Sequence, residues 1–119
     1  MDKPTLVLDF DGVLHSYTSG WKGVTIIPDL PVEGAQEFCS QALDYFKIWV
    51  VSSRCSQPGG AQAIVDWLTE HKFPMGILVS TDGTKPSAFL TLDDRAITFT
   101  GSWPNVQTLR KFTPWYLVS

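Results

Sequence analysis

The stretch that most constrains the fold is residues 6–14, LVLDFDGVL. It begins with an apolar run typical of a strand that is covered on both faces, as in a parallel sheet. Asp9 and Asp11 follow two residues apart, so in a pleated strand both carboxylates leave the same face. Open α/β sheets bind ligands at the carboxyl ends of their strands, which makes this pair a candidate site. The alternative is an aspartate that caps the next turn beside a solvated neighbour.

Composition limits the chain to a few classes of protein. Its 119 residues are 44% hydrophobic with a net charge of −3, which predicts one globular domain over residues 1–119. Only Arg110 and Lys111 are adjacent basic residues, so no basic stripe marks a nucleic-acid surface. Cys39 and Cys55 have neither metal-ligand spacing nor a disulfide framework. No apolar run is long enough to span a bilayer and no signal peptide is evident, so we expect a cytoplasmic protein.

Strand and helix patterns alternate along the chain. Strands are expected at residues 6–8, 48–51, 76–80 and 89–92, with an edge strand at 96–100. Helices are expected to begin near Pro31, Pro58 and Pro104 and to end by Phe46, Pro74 and Pro114. A hairpin with arms at residues 15–18 and 24–27 follows the first strand. The alternation predicts an α/β fold, a Rossmann-like three-layer sandwich with a mainly parallel central sheet.

Apolar side chains at helical spacing predict the buried faces of the helices. They are Val32, Ala35, Phe38, Cys39, Ala42, Leu43 and Phe46 in the first helix, Ile64, Val65, Trp67 and Leu68 in the second, and Val106, Leu109 and Phe112 in the third. Cys39 is therefore predicted to be core. The apolar tail, residues 115–118, either packs on the body or contacts a partner, for example a second copy in a homodimer.

Polar residues at four predicted strand ends fall on one edge of the sheet, because the carboxyl ends of parallel strands share that edge. They are Asp9 with Asp11, Ser52, Lys85, and Asp93 with Asp94. Clustered carboxylates repel one another, and a hard divalent cation such as Mg²⁺ relieves that repulsion by taking oxygen ligands. The hydroxyl and the lysine could then hold the free oxygens of a phosphate. The combination predicts a site for phosphoryl transfer.

With these features the chain resembles the haloacid dehalogenase-like (HAD) superfamily of phosphohydrolases, over residues 5–101. Four motifs of that family are matched in order. They are DFDGV at residues 9–13, Ser52 after the second strand, Lys85 ahead of the fourth strand, and the pair Asp93 and Asp94. Serine stands where threonine is common in the second motif, and both supply a hydroxyl.

The resemblance implies a catalytic role for four residues. Asp9 is expected to be the nucleophile that forms an aspartyl-phosphate. Asp11 is expected to protonate the leaving oxygen and then to deprotonate the attacking water. Ser52 and Lys85 are expected to hold the transferring phosphoryl group.

The resemblance also implies a metal and an open site. Mg²⁺ would be bound by Asp9, by the backbone carbonyl of Asp11, and by Asp93 and Asp94, with Asp93 the expected direct ligand of that pair. Only 40 residues separate Asp11 from Ser52 and a helix occupies many of them, so we expect a flap hairpin and no cap domain. An open site suits large substrates or a partner subunit that acts as a lid.

Gly12, Ser53 and Arg54 complete the expected substrate-binding set. Arg54 either touches the substrate or pairs with an aspartate that holds the loop. Trp21 either stacks on an aromatic substrate or covers the open edge of the site.

Three other residues near the site are expected to be structural. His15 is expected to be a hydrogen-bonded flap histidine, and Arg95 to form an ion pair with an acid of the site. Cys55 is expected to be a small hydrophobic residue of the loop.

The predicted function is a Mg²⁺-dependent phosphatase that hydrolyses a phosphomonoester, either a small molecule or a group on a macromolecule. A nucleic-acid-end (3′-phosphate) phosphatase is an alternative that the open site favours and the acidic charge disfavours. The other alternative is a non-catalytic phosphate- or metal-binding regulatory module on the same fold.

Overall fold

The chain folds around a four-stranded parallel sheet, and the computed structural model describes residues 2–118. The strands are Thr5–Leu8 (β1), Lys47–Val50 (β2), Leu78–Val79 (β3) and Leu90–Leu92 (β4). Their order is β3-β2-β1-β4, and every pairing is parallel. The predicted α/β fold with a parallel sheet is therefore confirmed.

Helices form two of the three connections between the strands. The helices are Ala35–Ala42 (α1), Gly60–Glu70 (α2) and Val106–Arg110 (α3), with short 3₁₀ helices at Ser53–Ser56 and Trp115–Leu117. Parallel strands need a long crossover, which α1 provides between β1 and β2 and α2 between β2 and β3. Residues 80–89 lead from β3 to β4 on the far side of β1 without a helix.

The hydrophobic core lies between the first two strands and the first two helices. Its buried side chains are Leu6, Leu8, Phe10, Leu14, Ala35, Cys39, Ala42, Ile48, Val50, Cys55, Ile64, Trp67, Leu68 and Phe73. The ring of Trp67 stands edge-on to Phe10, with their centroids 5.1 Å apart. Both cysteines are buried free thiols, as predicted from their spacing. Burying each large apolar side chain stabilises the fold by about 1.5–3 kcal/mol.

The predicted inner faces of the helices are partly wrong. Phe38 and Val65 are exposed, because each lies next to a stripe that α1 and α2 already fill with Ala35, Cys39 and Ala42, and with Ile64, Trp67 and Leu68. The three residues predicted to be inward on the last helix are exposed as well, namely Val106, Leu109 and Phe112. That helix follows the last strand instead of crossing between two strands, and it buries no residue.

The predicted flap hairpin is not formed. Residues 14–16 pair with residues 30–32, through Ser16 N–H to Leu30 O (3.0 Å) and Val32 N–H to Leu14 O (2.8 Å). Pro31 is thus held in an extended bridge and does not begin a helix. The carbonyls of residues 23, 24 and 26, which a hairpin would use, accept hydrogen bonds from Arg54 instead.

Glycines set where α1 and α2 begin. Gly34 and Gly59 precede them with φ of +84° and +80°, a region that favours glycine, so both helices begin later than predicted. Gly60 is also required, because a Cβ on it would lie 1.8 Å from the carbonyl oxygen of Arg54. Ser56 ends the 3₁₀ helix before α2 and donates its hydroxyl to Ser53 O at 2.9 Å.

Two predicted strands differ from the structure. The third is reduced to Leu78–Val79, and residues 96–100 form no strand. No helix within residues 2–118 has both the length and the apolar character needed to cross a membrane.

Candidate metal and phosphoryl site

The sheet order places the two acidic motifs beside each other. β1 and β4 are neighbours, and Asp9 N–H donates to Leu92 O at 3.0 Å, which extends their ladder past the last paired residues. Chain order reverses between these strands, since β2 and β3 lie on one side of β1 and β4 on the other. Such a reversal opens a crevice at the carboxyl ends of the strands, where α/β proteins bind ligands.

Three carboxylates meet in this crevice. Asp9, Asp93 and Asp94 each offer one oxygen, and these oxygens all lie within 4.8 Å of one another. Asp93 is the exposed member, and one of its oxygens accepts the backbone N–H of Arg95 at 2.8 Å. These three carboxylates could hold a metal ion, and hard oxygen donors are the ligands that Mg²⁺ prefers.

The pKa values of Asp9 and Asp94 in the absence of a cation also reflect how close these carboxylates are. Burial, and after it a hydrogen bond with Asp94, raise the pKa of Asp9 to about 8. Burial alone would raise the pKa of Asp94 too, but hydrogen bonds from Asp9 and Tyr116 outweigh it and lower that pKa. Without a cation, a proton on Asp9 next to Asp94 is therefore favoured at neutral pH. A bound cation would replace that proton and relieve the repulsion between the carboxylates.

Gly12 lets the chain turn tightly past these acids. Its φ is +84°, and a Cβ at this position would lie 2.5 Å from Cε1 of Tyr116 and 2.6 Å from Oδ2 of Asp94. Gly12 therefore lies beside Asp94 but is not among the residues that line the cavity, and its role in substrate binding stays a prediction. Its backbone carbonyl accepts the indole N–H of Trp115 at 2.7 Å. Any other residue here would push the tail and Asp94 away from the turn.

Asp11 points into a different network from that of Asp9. Nε of Arg54 donates to Oδ2 at 2.9 Å and Nη2 donates to Oδ1 at 3.2 Å, which makes a two-point ion pair. Nδ1 of His15 lies 2.8 Å from Oδ1, and Nε2 of His15 accepts the backbone N–H of Asp29 at 3.1 Å. The proton of this imidazole therefore sits on Nδ1 and is donated to Asp11.

This network keeps Asp11 ionised. Burial would raise the pKa of Asp11, but the hydrogen bonds from His15 and Arg54, together with the positive charge of Arg54, lower it below its ordinary value. An ionised carboxylate suits a general base and must gain a proton before it can act as an acid. His15 is fully buried, so the prediction of a hydrogen-bonded structural histidine is confirmed.

Arg54 holds the loop before the first helix in place. The side chain is fully buried, and Nη1 donates to the carbonyls of Gly23 (2.7 Å) and Val24 (2.8 Å). Its guanidinium also lies under Trp21, with the carbon 4.5 Å from the ring centroid. Of the two roles left open for Arg54, the structure shows the pairing with an aspartate.

Of the other residues predicted at or near the site, three line the cavity and Lys85 does not. Ser52 and Ser53 line the cavity at the acids, and Ser52 Oγ accepts the N–H of Arg54 at 3.1 Å. Lys85 is exposed in the loop before β4 and is not among the residues that line the cavity. Arg95 lines it, but within residues 2–118 no carboxylate lies within ion-pairing distance of Arg95, so its predicted ion pair is wrong.

Two tyrosines of the site carry no signal in the sequence. Tyr116 donates its hydroxyl to Asp94 Oδ2 at 2.7 Å, and Tyr17 stands edge-on to Tyr116 with the ring centroids 5.4 Å apart. Burial, and then the bond to Asp94, raise the pKa of Tyr116 to about 12, so it remains a donor. The apolar tail thus contacts the body through Trp115 and Tyr116, while residues 117–118 are mostly exposed. Packing on the body, one of the two outcomes predicted for the tail, is observed for its first half.

These residues enclose a small open cavity of about 180 Å³ at the carboxyl edge of the sheet. Its lining consists of Asp9, Asp11, Ser52, Ser53, Asp94, Arg95, Tyr17, Trp21 and Tyr116. Acids and hydroxyls from three strand ends therefore share one space with three aromatic rings.

Comparisons with known proteins assign no family. No protein-family model and no curated protein matches the chain. A crystal structure of a structural-genomics target from Vibrio cholerae is similar, at 22% identity over 93% of this chain and 95% of that chain, with a TM-score of 0.48. Similarity at this level supports neither a family nor an activity.

Proposed function

We propose that this protein is a Mg²⁺-dependent phosphomonoesterase of the HAD type that works through an aspartyl-phosphate on Asp9. The observation that carries the proposal is the meeting of Asp9, Asp93 and Asp94 within 4.8 Å at the reversal point of a parallel sheet. The same proposal includes a Rossmann-like three-layer arrangement and a single domain over residues 1–119.

The metal would be held by the three carboxylates that the crevice brings together. When bound, Mg²⁺ would neutralise the charge of these carboxylates and of the phosphate, which otherwise repel each other. Asp9 would lose its proton and become an ionised nucleophile. Asp11 would contribute only its backbone carbonyl, because its carboxylate is already taken by Arg54 and His15.

The chain's own residues supply the remaining steps. Asp11 first gains a proton from solvent. Asp9 then attacks phosphorus, the P–O bond of the ester breaks, and the leaving oxygen takes that proton from Asp11. Asp11 then removes a proton from water, which attacks the aspartyl-phosphate and releases inorganic phosphate and free Asp9. Since the network lowers the pKa of Asp11, proton transfer from Asp11 to the leaving oxygen is expected to limit the rate for esters with poor leaving groups.

Lys85 enters this proposal only through movement of its loop. In the structure the side chain is exposed and outside the cavity lining. We propose that a bound phosphate draws Lys85 inward, while Ser52 and Ser53 already line the space. Lys85→Met is then expected to raise KM more than it lowers kcat.

Hydrolysis of p-nitrophenyl phosphate tests the proposal. Wild type should show turnover that EDTA abolishes and Mg²⁺ restores, and Asp9→Asn should lose at least about 1,000-fold in kcat, the size of effect seen on removing a nucleophile. Asp44→Asn is the matched control, because Asp44 is exposed and precedes β2, away from the carboxyl ends of the strands where the acids lie. Equal turnover by wild type and Asp9→Asn would contradict the proposal.

A non-catalytic module on the same fold is the second candidate. The observation that favours it is the engagement of Asp11 by Arg54 and His15, which leaves no protonated acid for the leaving group. If wild type binds Mg²⁺ and phosphate but shows no metal-dependent turnover of any ester, this candidate replaces the phosphatase.

A further inference from the structure

We infer that the cavity selects phosphomonoesters whose leaving group carries a neutral, planar aromatic ring, such as a nucleobase or a phenyl ring. The inference rests on the proposed function and adds the class of substrate. It starts from what remains of the cavity lining once the phosphoryl group has its partners. The acids and serines belong to that group, and the rest of the lining is Tyr17, Trp21, Tyr116 and Arg95.

Three of these four side chains are aromatic, and contacts hold each of them in place. The hydroxyl of Tyr116 is bonded to Asp94, and its ring meets that of Tyr17 edge-on at 5.4 Å. Trp21 lies on the guanidinium of Arg54 at 4.5 Å. Rings that are already positioned lose little conformational entropy when a ligand stacks on them, which favours binding.

Trp21 keeps exposed surface for such stacking. Arg54 covers one face of the indole, 48% of the residue remains exposed, and the residue lines the cavity. A tryptophan whose only function was to cover Arg54 would not need this exposure. Stacking of one base on an aromatic side chain increases affinity by about tenfold or more.

Charge argues that the ring is neutral. Arg54 is paired with Asp11, so Arg95 is the one cation of the cavity lining that no carboxylate neutralises. Mg²⁺ and the phosphate dianion would cancel each other's charge, so the lining would still carry more carboxylates (Asp9, Asp11 and Asp94) than cations (Arg95) and would repel a second anionic group on the substrate. A neutral planar group gains the stacking and avoids that repulsion.

Two matched pairs of substrates test the inference. Uridine 5′-monophosphate and ribose 5-phosphate share a primary ester and differ by the base, and benzyl phosphate and cyclohexylmethyl phosphate differ by the planarity of the ring. We expect kcat/KM to favour the planar member of at least one pair by about tenfold. A preference in the first pair would identify the ring as a nucleobase, and a preference in the second pair alone would identify it as a phenyl ring.

Variants assign the preference to Trp21. Trp21→Ala should bring the ratio within each pair close to one, and Trp21→Phe should keep part of the preference. Trp103→Ala is the control, because Trp103 is 86% exposed and does not line the cavity. Ratios near one in wild type, or a ratio that survives Trp21→Ala, would overturn the inference.

Failure of the proposed function gives a different result. In that case no ester is hydrolysed in a way that depends on Asp9. Calorimetric binding of the same four esters to Asp9→Asn with Mg²⁺ then measures the preference without turnover. Tighter binding of the planar members that Trp21→Ala removes would uphold the inference, and equal binding within both pairs would overturn it.

Discussion

Residues 5–80 and residues 81–118 use their apolar side chains in different ways. The first segment holds the whole hydrophobic core, with Leu8, Phe10, Ile48 and Ile64 fully buried. In the second segment Pro114 alone is buried, and Trp103 is 86% exposed. Yet the second segment contributes Asp93, Asp94 and Tyr116 to the site. The first segment therefore provides the hydrophobic core, and the second provides two of the three carboxylates of the candidate metal site.

The largest expected effect on stability comes from Arg54, the buried arginine that links the loop before α1 to Asp11. Arg54→Met leaves Asp11 without its ion pair and frees the carbonyls of Gly23 and Val24, so we expect a loss of about 3–5 kcal/mol in the free energy of unfolding. Urea denaturation measures it. Arg95→Met is the control, since Arg95 is exposed and has no carboxylate partner within residues 2–118, and it should change stability little. Equal effects of the two changes would show that Arg54 is not a structural anchor.

A pair of truncations tests the difference between the two segments directly. Ile48→Ala empties a fully buried position in β2 and should cost about 2–5 kcal/mol in urea denaturation. Trp103→Ala removes a larger side chain that is mostly exposed and should stay within about 0.5 kcal/mol of wild type. A loss from Trp103→Ala as large as that from Ile48→Ala would mean that the second segment has a core of its own.

The proton on Asp9 should make the metal-free protein less stable at higher pH. The folded-state pKa of about 8 lies above the ordinary 3.8, so between these values the folded state binds more protons than the unfolded chain. The free energy of unfolding then falls as pH rises from about 4 to about 8. Asp9→Asn should flatten this decline, leaving the variant about 1–3 kcal/mol more stable than wild type at pH 8.

Mg²⁺ should cancel the same decline in the wild type. At 100 times its dissociation constant the ion adds about 2.7 kcal/mol to the free energy of unfolding, and Asp9→Asn should gain less. Thermal denaturation across pH, with EDTA or Mg²⁺, measures both effects, and Asp44→Asn should behave like wild type. Parallel pH profiles for wild type and Asp9→Asn would contradict the placement of the proton on Asp9.

The smallest effect concerns the contact between the tail and the metal ligands. Tyr116→Phe removes the hydroxyl that donates to Asp94 and should lower stability by about 0.5–1.5 kcal/mol. Losing a hydrogen bond to a metal ligand should also weaken Mg²⁺ binding by about 10-fold or more, measured by calorimetry. Tyr45→Phe is the control because Tyr45 is 72% exposed. Unchanged Mg²⁺ affinity would reduce Tyr116 to a packing residue.

The sequence predicts the centre of the molecule better than its periphery. The apolar run before Asp9 and the strand around Ile48 are local patterns, and the parallel sheet follows from their alternation with helices. The convergence of Asp9 with Asp93 and Asp94 follows in turn, because parallel strands share one carboxyl edge.

Long-range contacts explain what the sequence did not predict. Arg54 shapes the loop before α1 by donating to the carbonyl of Val24. The two residues are 30 positions apart in the sequence, so no local pattern signals that bond. Trp115 reaches Gly12 across 103 residues in the same way. Phe38 and the apolar residues of the last helix are exposed because no other element within residues 2–118 packs on that side of their helices. Apolar periodicity in the sequence does not predict which helix faces are covered.

Binding of beryllium fluoride, a mimic of the aspartyl-phosphate, tests the central claim most directly. Fluorine NMR would follow its binding to wild type and to Asp9→Asn, each with and without Mg²⁺. We predict a bound beryllium fluoride signal in wild type that requires Mg²⁺, and none in Asp9→Asn. A bound signal in Asp9→Asn, or none in wild type with Mg²⁺ present, would contradict the assignment of Asp9 as a metal-assisted nucleophile.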